Sequence, residues 1–255
     1  MERKDTDKLS FVLSNAAECT VLLKKSGQFP IDKPGRIAAY GAGLRYTIKG
    51  GTGSGEVNSK ETFTIEQGLE RAGFIIASKS WLDAYDEVRR KAKKQFIKDL
   101  KAQAKEKHEN AIMYSMGKTM KEPDHNLEIT KVCDTAIYVV SRNSGEGSDR
   151  EVLEGDVKLS KSEIRDILLL NKIYDTFMLV LNVGGVVDLS PVMEVKDILL
   201  LSQLGTDCGA VLRIFFWENR ILQGSSQPPG RRLKNIQWKE PLATGTITAT
   251  KRVFM

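Results

Sequence analysis

Cysteine and histidine are scarce in this chain. Cys19, Cys133 and Cys208, with His108 and His125, are all that its 255 residues hold. An odd, widely spaced cysteine set suggests neither a disulfide framework nor a zinc knuckle. Two isolated histidines are too few for a metal site, and no cofactor is expected. Long hydrophobic runs are also missing. The longest candidates, residues 177–187 and 198–204, are interrupted by Asn182, glycines and Gln203, so no membrane partner is expected. The residues after Met1 mix acids with bases and lack an apolar signal stretch, which points to a cytoplasmic protein. Hydrophobic residues at 41% and charged residues at 28% exclude wholesale disorder.

A net charge of +6 would normally invite a nucleic-acid or anionic-surface reading. Its location removes most of that appeal. Residues 213–255 carry eight lysines and arginines against two acids, whereas residues 1–212 carry 31 of each sign. The body is neutral, and no nucleic-acid partner is expected from its balance.

Helical spacing of Leu9, Val12, Leu13, Ala16 and Leu23 predicts a helix over residues 8–25. Residues 29–35 are punctuated as a loop, 36–40 form a short apolar strand, and 41–58 a glycine-rich stretch. A helix over 64–72 ends at Gly73, followed by a strand over 74–77. A long polar helix runs from Ser80 to about His108; its lysines and arginines read as a solvated face, with nucleic-acid contact a minor alternative. Residues 111–132 read as a flexible connection. Strong apolar strands are expected over 134–140, 177–183 and 195–201. Ser160 and Glu163 form a capping box that opens a helix through about Asn171. Alternating strands and helices predict an α/β fold: a three-layer sandwich around a mostly parallel sheet of about six strands.

Ligands of such sheets meet the loops after the strands' carboxyl ends. Two loops qualify. The first contains Gly50, Gly51, Thr52, Gly53, Ser54 and Gly55. It fails the P-loop pattern, because Glu56 follows Gly55, and Gly41-Ala-Gly43 fails the dinucleotide fingerprint, because Tyr46 holds its last glycine position. What remains is backbone able to approach another group closely, with structural turn and ligand loop equally open. The second loop is Ser141-Arg-Asn-Ser-Gly-Glu-Gly-Ser-Asp-Arg150. Glu146, between two glycines, can be presented at a loop tip for acid–base chemistry, with Arg142, Asp149 and Arg150 able to orient it or bind hydroxyls. A lone loop glutamate is more often simply solvated.

These residues carry a resemblance. The stretches 16–24, 49–58, 64–69, 134–147, 181–188 and 203–212 together resemble the α/β-sandwich domain of glycoside hydrolase family 3, the family of many β-glucosidases. The resemblance covers residues 8–212. It implies that Glu146, within the family's Ser-Gly-Glu-Gly-x-Asp-Arg motif, is the general acid/base, and that residues 50–55 border a β-glucoside or related sugar. It also implies a retaining mechanism whose nucleophile is an aspartate on a separate (β/α)8-barrel. No Ser-Asp-Trp nucleophile motif occurs here, and no barrel of roughly 250 residues fits. The expectation is a domain that supplies the acid/base loop, is inactive alone, and needs the barrel as its partner. The alternative is a non-catalytic carbohydrate-binding or interaction module.

After Leu212 the resemblance stops. Regrouping the codons one base earlier lets residues 213–231 encode ADIFLGKPDPSGKLTTTWA and residues 242–255 encode FGNRDDNRYKEGIY, strings this family shows in that order. Residues 213–255 are therefore expected to be a frame-shifted, non-native tail, with Phe215, Phe216 and Trp217 favouring homo-oligomers or aggregation.

Overall fold

The computed structural model describes residues 19–31, 33–51, 63–144, 149–205 and 209. Six strands form one sheet: β1 (Val21–Lys24), β2 (Arg36–Tyr40), β3 (Ile75–Ile76), β4 (Thr135–Arg142), β5 (Thr176–Val183) and β6 (Ile198–Leu200), in the spatial order β1-β6-β5-β4-β2-β3. Every pairing is parallel except that of β1 with β6. Among the described residues the α-helices are α1 (Ile65–Arg71), α2 (Lys79–Glu106), α3 (Ala111–Ser115) and α4 (Lys161–Ile173).

Local chemistry explains the boundaries. Thr64 and Ser160 each cap a helix by a reciprocal box with Gln67 and Glu163, satisfying donors that the first turn leaves unpaired. Gly73 stops α1 at φ +92°, a conformation side chains resist. Ala136–Val140 of β4 are wholly buried, as a central parallel strand covered on both faces requires. Tyr40 and Tyr138 sit opposite each other in register and so share a face, where Trp81 of α2 meets Tyr40 edge-on at 5.1 Å.

Two expectations are corrected. Residues 21–24 form an edge strand and not the end of a helix; Val21-Leu-Leu pairs with β6, and ladder bonds there outweigh the helical spacing. Residues 8–18 of that expected helix lie outside the described residues. Residues 111–132 are no free connection. They begin with α3, and Glu122 and His125 are buried against the body. The Glu122 carboxylate accepts from the Tyr85 hydroxyl and from Arg89 Nη1, while its amide donates to Gly155 O at 2.8 Å. The long helix, the capping box and the strands at 36–40, 135–142, 176–183 and 198–200 stand where the sequence places them, within two or three residues. No helix among the described residues is long and apolar enough to cross a membrane.

The strand order positions the site. From β2 the chain crosses by α1 to β3 on one side; from β4 it crosses by α4 to β5 on the other. The direction of winding reverses between β2 and β4. At such a switch point the two following loops diverge and leave a crevice at the strands' carboxyl ends. Both candidate loops begin there.

Candidate functional site

The β2 loop starts at Gly41, whose φ of +90° turns the chain across β4. A Cβ at Gly41 would lie 2.5 Å from Val139 O, and one at Gly43 2.4 Å from Val139 Cγ1. These two glycines thus serve backbone packing onto the neighbouring strand. The loop then passes over the crevice and is tied down by Asn182 of β5. That side chain is fully buried. Its Oδ1 accepts from Ile48 N at 2.6 Å, and its Nδ2 donates to Ile48 O at 2.8 Å and Ser202 O at 2.7 Å. Gly205 N adds a bond to Lys49 O at 2.8 Å. Gly50 and Gly51 follow at once, half-buried at the crevice rim. Thr52, Gly53, Ser54 and Gly55 lie outside the described residues.

The β4 loop contains Glu146, which also lies outside the described residues, between Ser144 and Asp149. Both bases of the loop are held. On the strand side, Arg142 is buried as the last residue of β4. Its Nε donates to Asp156 O and its Nη1 to Ser141 O, both at 2.9 Å, and its Nη2 meets the Glu163 carboxylate at 2.5 Å. All three guanidinium nitrogens are therefore engaged within the protein. Burial works against that charge, but Glu163 outweighs it and holds the guanidinium pKa above its ordinary value. On the return side, Arg150 donates from Nε to Asp156 Oδ1 and from Nη1 to Val186 O, each at 2.7 Å. Its Nη2 is buried with no hydrogen-bond partner among the described residues. Asp149 is exposed. Gly155, at φ +77°, lets the loop pass so close to residue 122 that a Cβ would lie 2.4 Å from Glu122 O.

Between these anchors lies a cleft of about 120 Å3, lined by Tyr46, Ile48, Arg89, Glu122, Arg142, Asn143 and Asp156 among others. Of the residues singled out from sequence, Gly50, Gly51, Arg142 and Arg150 are brought to this end of the sheet. Sequence reasoning missed Asn182, Asp156 and Glu122. Asn182 had a visible signal, a single amide inside an otherwise apolar strand. Glu122 had none, because Tyr85 and Arg89 are distant in the chain, and Asp156 had none, because its bonds to Arg150 and Glu151 lie within an aperiodic loop. Among the described residues, no group of three or more His, Cys, Asp or Glu side chains could hold a metal ion.

Behind the crevice, His125 Nε2 faces Asp166 Oδ2 at 3.5 Å, both side chains being 1% exposed. His125 Nδ1 accepts from Leu127 N at 3.3 Å, so the neutral ring carries its proton on Nε2, toward Asp166. Burial, with Arg165 adding to it, pushes His125 down to about 4. Burial pushes Asp166 up to about 6, against the pull of Arg165. The signs oppose. Between pH 4 and 6.5 the unfolded chain protonates His125 while the folded one does not, so that contribution grows as pH rises. Between pH 4 and 6 the folded chain keeps a proton on Asp166 that the unfolded one releases, so that contribution falls as pH rises. Asp166→Asn is expected to unmask the histidine and give stability that rises by about 3 kcal/mol from pH 4 to 6.5. Urea midpoints across that range measure it; a profile parallel to the parent protein's would refute it.

Comparison with known proteins matches this architecture. The sequence profile described as "Glycosyl hydrolase family 3 C-terminal domain" matches residues 20–237. Beta-glucosidase A of Butyrivibrio fibrisolvens is 28% identical, over 85% of this chain and 27% of its own. Beta-glucosidase 3B from Thermotoga neapolitana, solved in complex with glucose, superposes with a TM-score of 0.64 at 25% identity, over 82% of this chain and 29% of that one. A beta-glucosidase from Paenibacillus barengoltzii, at 22% identity and TM-score 0.59 over 80% and 22% of the two chains, shares the fold. The chain thus spans under a third of each of these relatives. With the profile matching most of its length and a mostly parallel sheet to carry it, the chain belongs to glycosyl hydrolase family 3, as that family's C-terminal α/β domain.

Proposed function

We propose that this domain supplies the general acid/base of a retaining, β-glucosidase-like hydrolysis. Glu146 would protonate the departing glycosidic oxygen and then, as a carboxylate, take a proton from the attacking water. Residues 50–55 would border the sugar with backbone amides. Asp149 and Arg150 would reach its hydroxyls, and Arg142 would brace the loop from below. The observation that supports this most is the topology: the two loops with these residues leave adjacent strands at the sheet's switch point. A retaining reaction needs a second carboxylate about 5 Å from the first as nucleophile. It would come from a (β/α)8-barrel outside these 255 residues.

The expected result is that the pure 255-residue chain hydrolyses an aryl β-glucoside no faster than buffer. Joined to the barrel of a relative, it should turn the substrate over, and Glu146→Gln should lower that rate by about 10²- to 10⁴-fold. Turnover by the chain alone, abolished in Glu146→Gln, would contradict the division of labour. Glucose-induced NMR shifts at Gly50, Gly51 and Arg150 with no turnover in the joined protein would favour the non-catalytic binding module. We also propose that residues 213–255 are read in a shifted frame, although the family match runs to residue 237. Codons incompatible with the two family strings would end that idea.

A further inference from the structure

The even charge balance of residues 1–212 conceals an asymmetry. Residues 89–121 carry eleven lysines and arginines against three acids, and the remainder of 1–212 carries 20 against 28. The structure shows how the positive charge is arranged. Lys91, Lys94, Lys98, Lys101 and Lys105 follow one another at intervals of three, four, three and four residues along α2. At 100° per residue they fall within a sector of about 80°, in a row about 21 Å long. All five are exposed, and none makes an ion pair among the described residues. The acids of this stretch, Asp99 and Glu106, lie outside the sector, and Asp99 accepts from Gln95 Nε2 at 2.7 Å. The opposite side of the helix is covered, with Ala104 buried and Gln103 accepting from Tyr114 of α3.

The row is costly to keep. Four successive pairs of lysines stand three or four residues apart, where like charges on a helix repel each other. Within the fold Glu87, one turn before Lys91 on the same face, feels this charge, its carboxyl being held below the ordinary value chiefly by Arg90 and also by Lys91 and Lys94. We propose that this row is a docking surface for an acidic helix of a protein partner. A helix bearing carboxylates at the same three–four spacing sets one opposite each lysine along the whole row, with half-exposed Ile97 at its edge for an apolar neighbour. Nucleic acid fits less well: the row has no aromatic to stack a base, and the adjacent Arg90 is already held by Glu87. A bilayer fits less well too, since no large apolar side chain lies within the sector to enter it.

The test uses the 255-residue chain and a fluorescent 21-residue alanine-based helix with glutamates at three–four spacing. A second peptide of the same composition scatters the glutamates around the wheel. At low ionic strength the first peptide should bind at least fivefold tighter. Combining Lys94→Gln, Lys98→Gln and Lys101→Gln should weaken it at least tenfold, with helix content and thermal unfolding preserved. Equal binding of the two peptides, no binding of either, no loss in the triple variant, or tighter binding to a 20-base-pair duplex or to phosphatidylserine vesicles would each overturn the proposal.

Discussion

Arg142→Met is expected to destabilise the domain by about 3–5 kcal/mol, the loss typical when one partner of a buried ion pair is removed. The two side chains are 5% and 2% exposed, so water cannot take the guanidinium's place. The cost lies mainly in the Glu163 carboxylate left behind, and in Asp156 O and Ser141 O, which lose their donors. Glu163 has a second duty, since it also accepts from Ser160 N at 2.8 Å in the capping box. Glu163→Gln retains an acceptor for that cap while removing the charge. The double variant Arg142→Met with Glu163→Gln should therefore recover much of the loss, a coupling that two independent contacts would not show. Urea denaturation with an unchanged m-value measures it. A single variant within about 1 kcal/mol of the parent would mean that the pair is solvated and not structural.

Asn182→Leu should cost about 3 kcal/mol. The substitution fits the apolar strand, so packing is not the source of the loss. The source is three backbone groups, Ile48 N, Ile48 O and Ser202 O, whose bonds to Asn182 are lost in one step. Each buried polar group left unpaired costs about 1–3 kcal/mol, and loops can move toward water to recover part of it. That movement is the more informative readout. Amide exchange at Ile48 to Gly51 should accelerate by at least tenfold while β4 and β5 stay protected, because Asn182 holds the β2 loop and not the sheet. Unchanged exchange at those residues would show that the Lys49–Gly205 bond suffices.

Both predictions concern residues whose importance is distributed along the chain. Arg142 draws on residues 156 and 163, and Asn182 joins residues 48 and 202. Local patterns marked both residues but could not reveal these partners. The elements themselves were legible, because caps and apolar runs act over a few residues. Ser160 with Glu163 announced α4, Gly73 announced the end of α1, and the unbroken run in β4 announced a central strand. The helix expected over residues 8–25 was misread where its last turn pairs with β6. Helical spacing is a local signal, and the competing ladder partners are 174 to 179 residues away in sequence. The segment 111–132 was misread for the same reason, since its anchors, Tyr85, Arg89 and Gly155, lie in other elements.

The sequence alone determined the class of fold, the two loops worth attention, and, through the order of its motifs, the family. The fold class and the loops follow from periodicity, capping and turn chemistry, which are properties of neighbouring residues; the family follows from the resemblance of its motifs. Only the tertiary structure decided that the two loops leave adjacent strands at one switch point, because strand order is set by how crossovers pack and not by any local pattern. It alone showed that Gly41 and Gly43 are spent on packing against Val139, and that Arg142 turns inward to Glu163. It also showed that a body of even charge balance sets five of its lysines as one straight row on an exposed helix face. Net charge is a sum over residues; where that charge can act depends on which of them the fold leaves facing water.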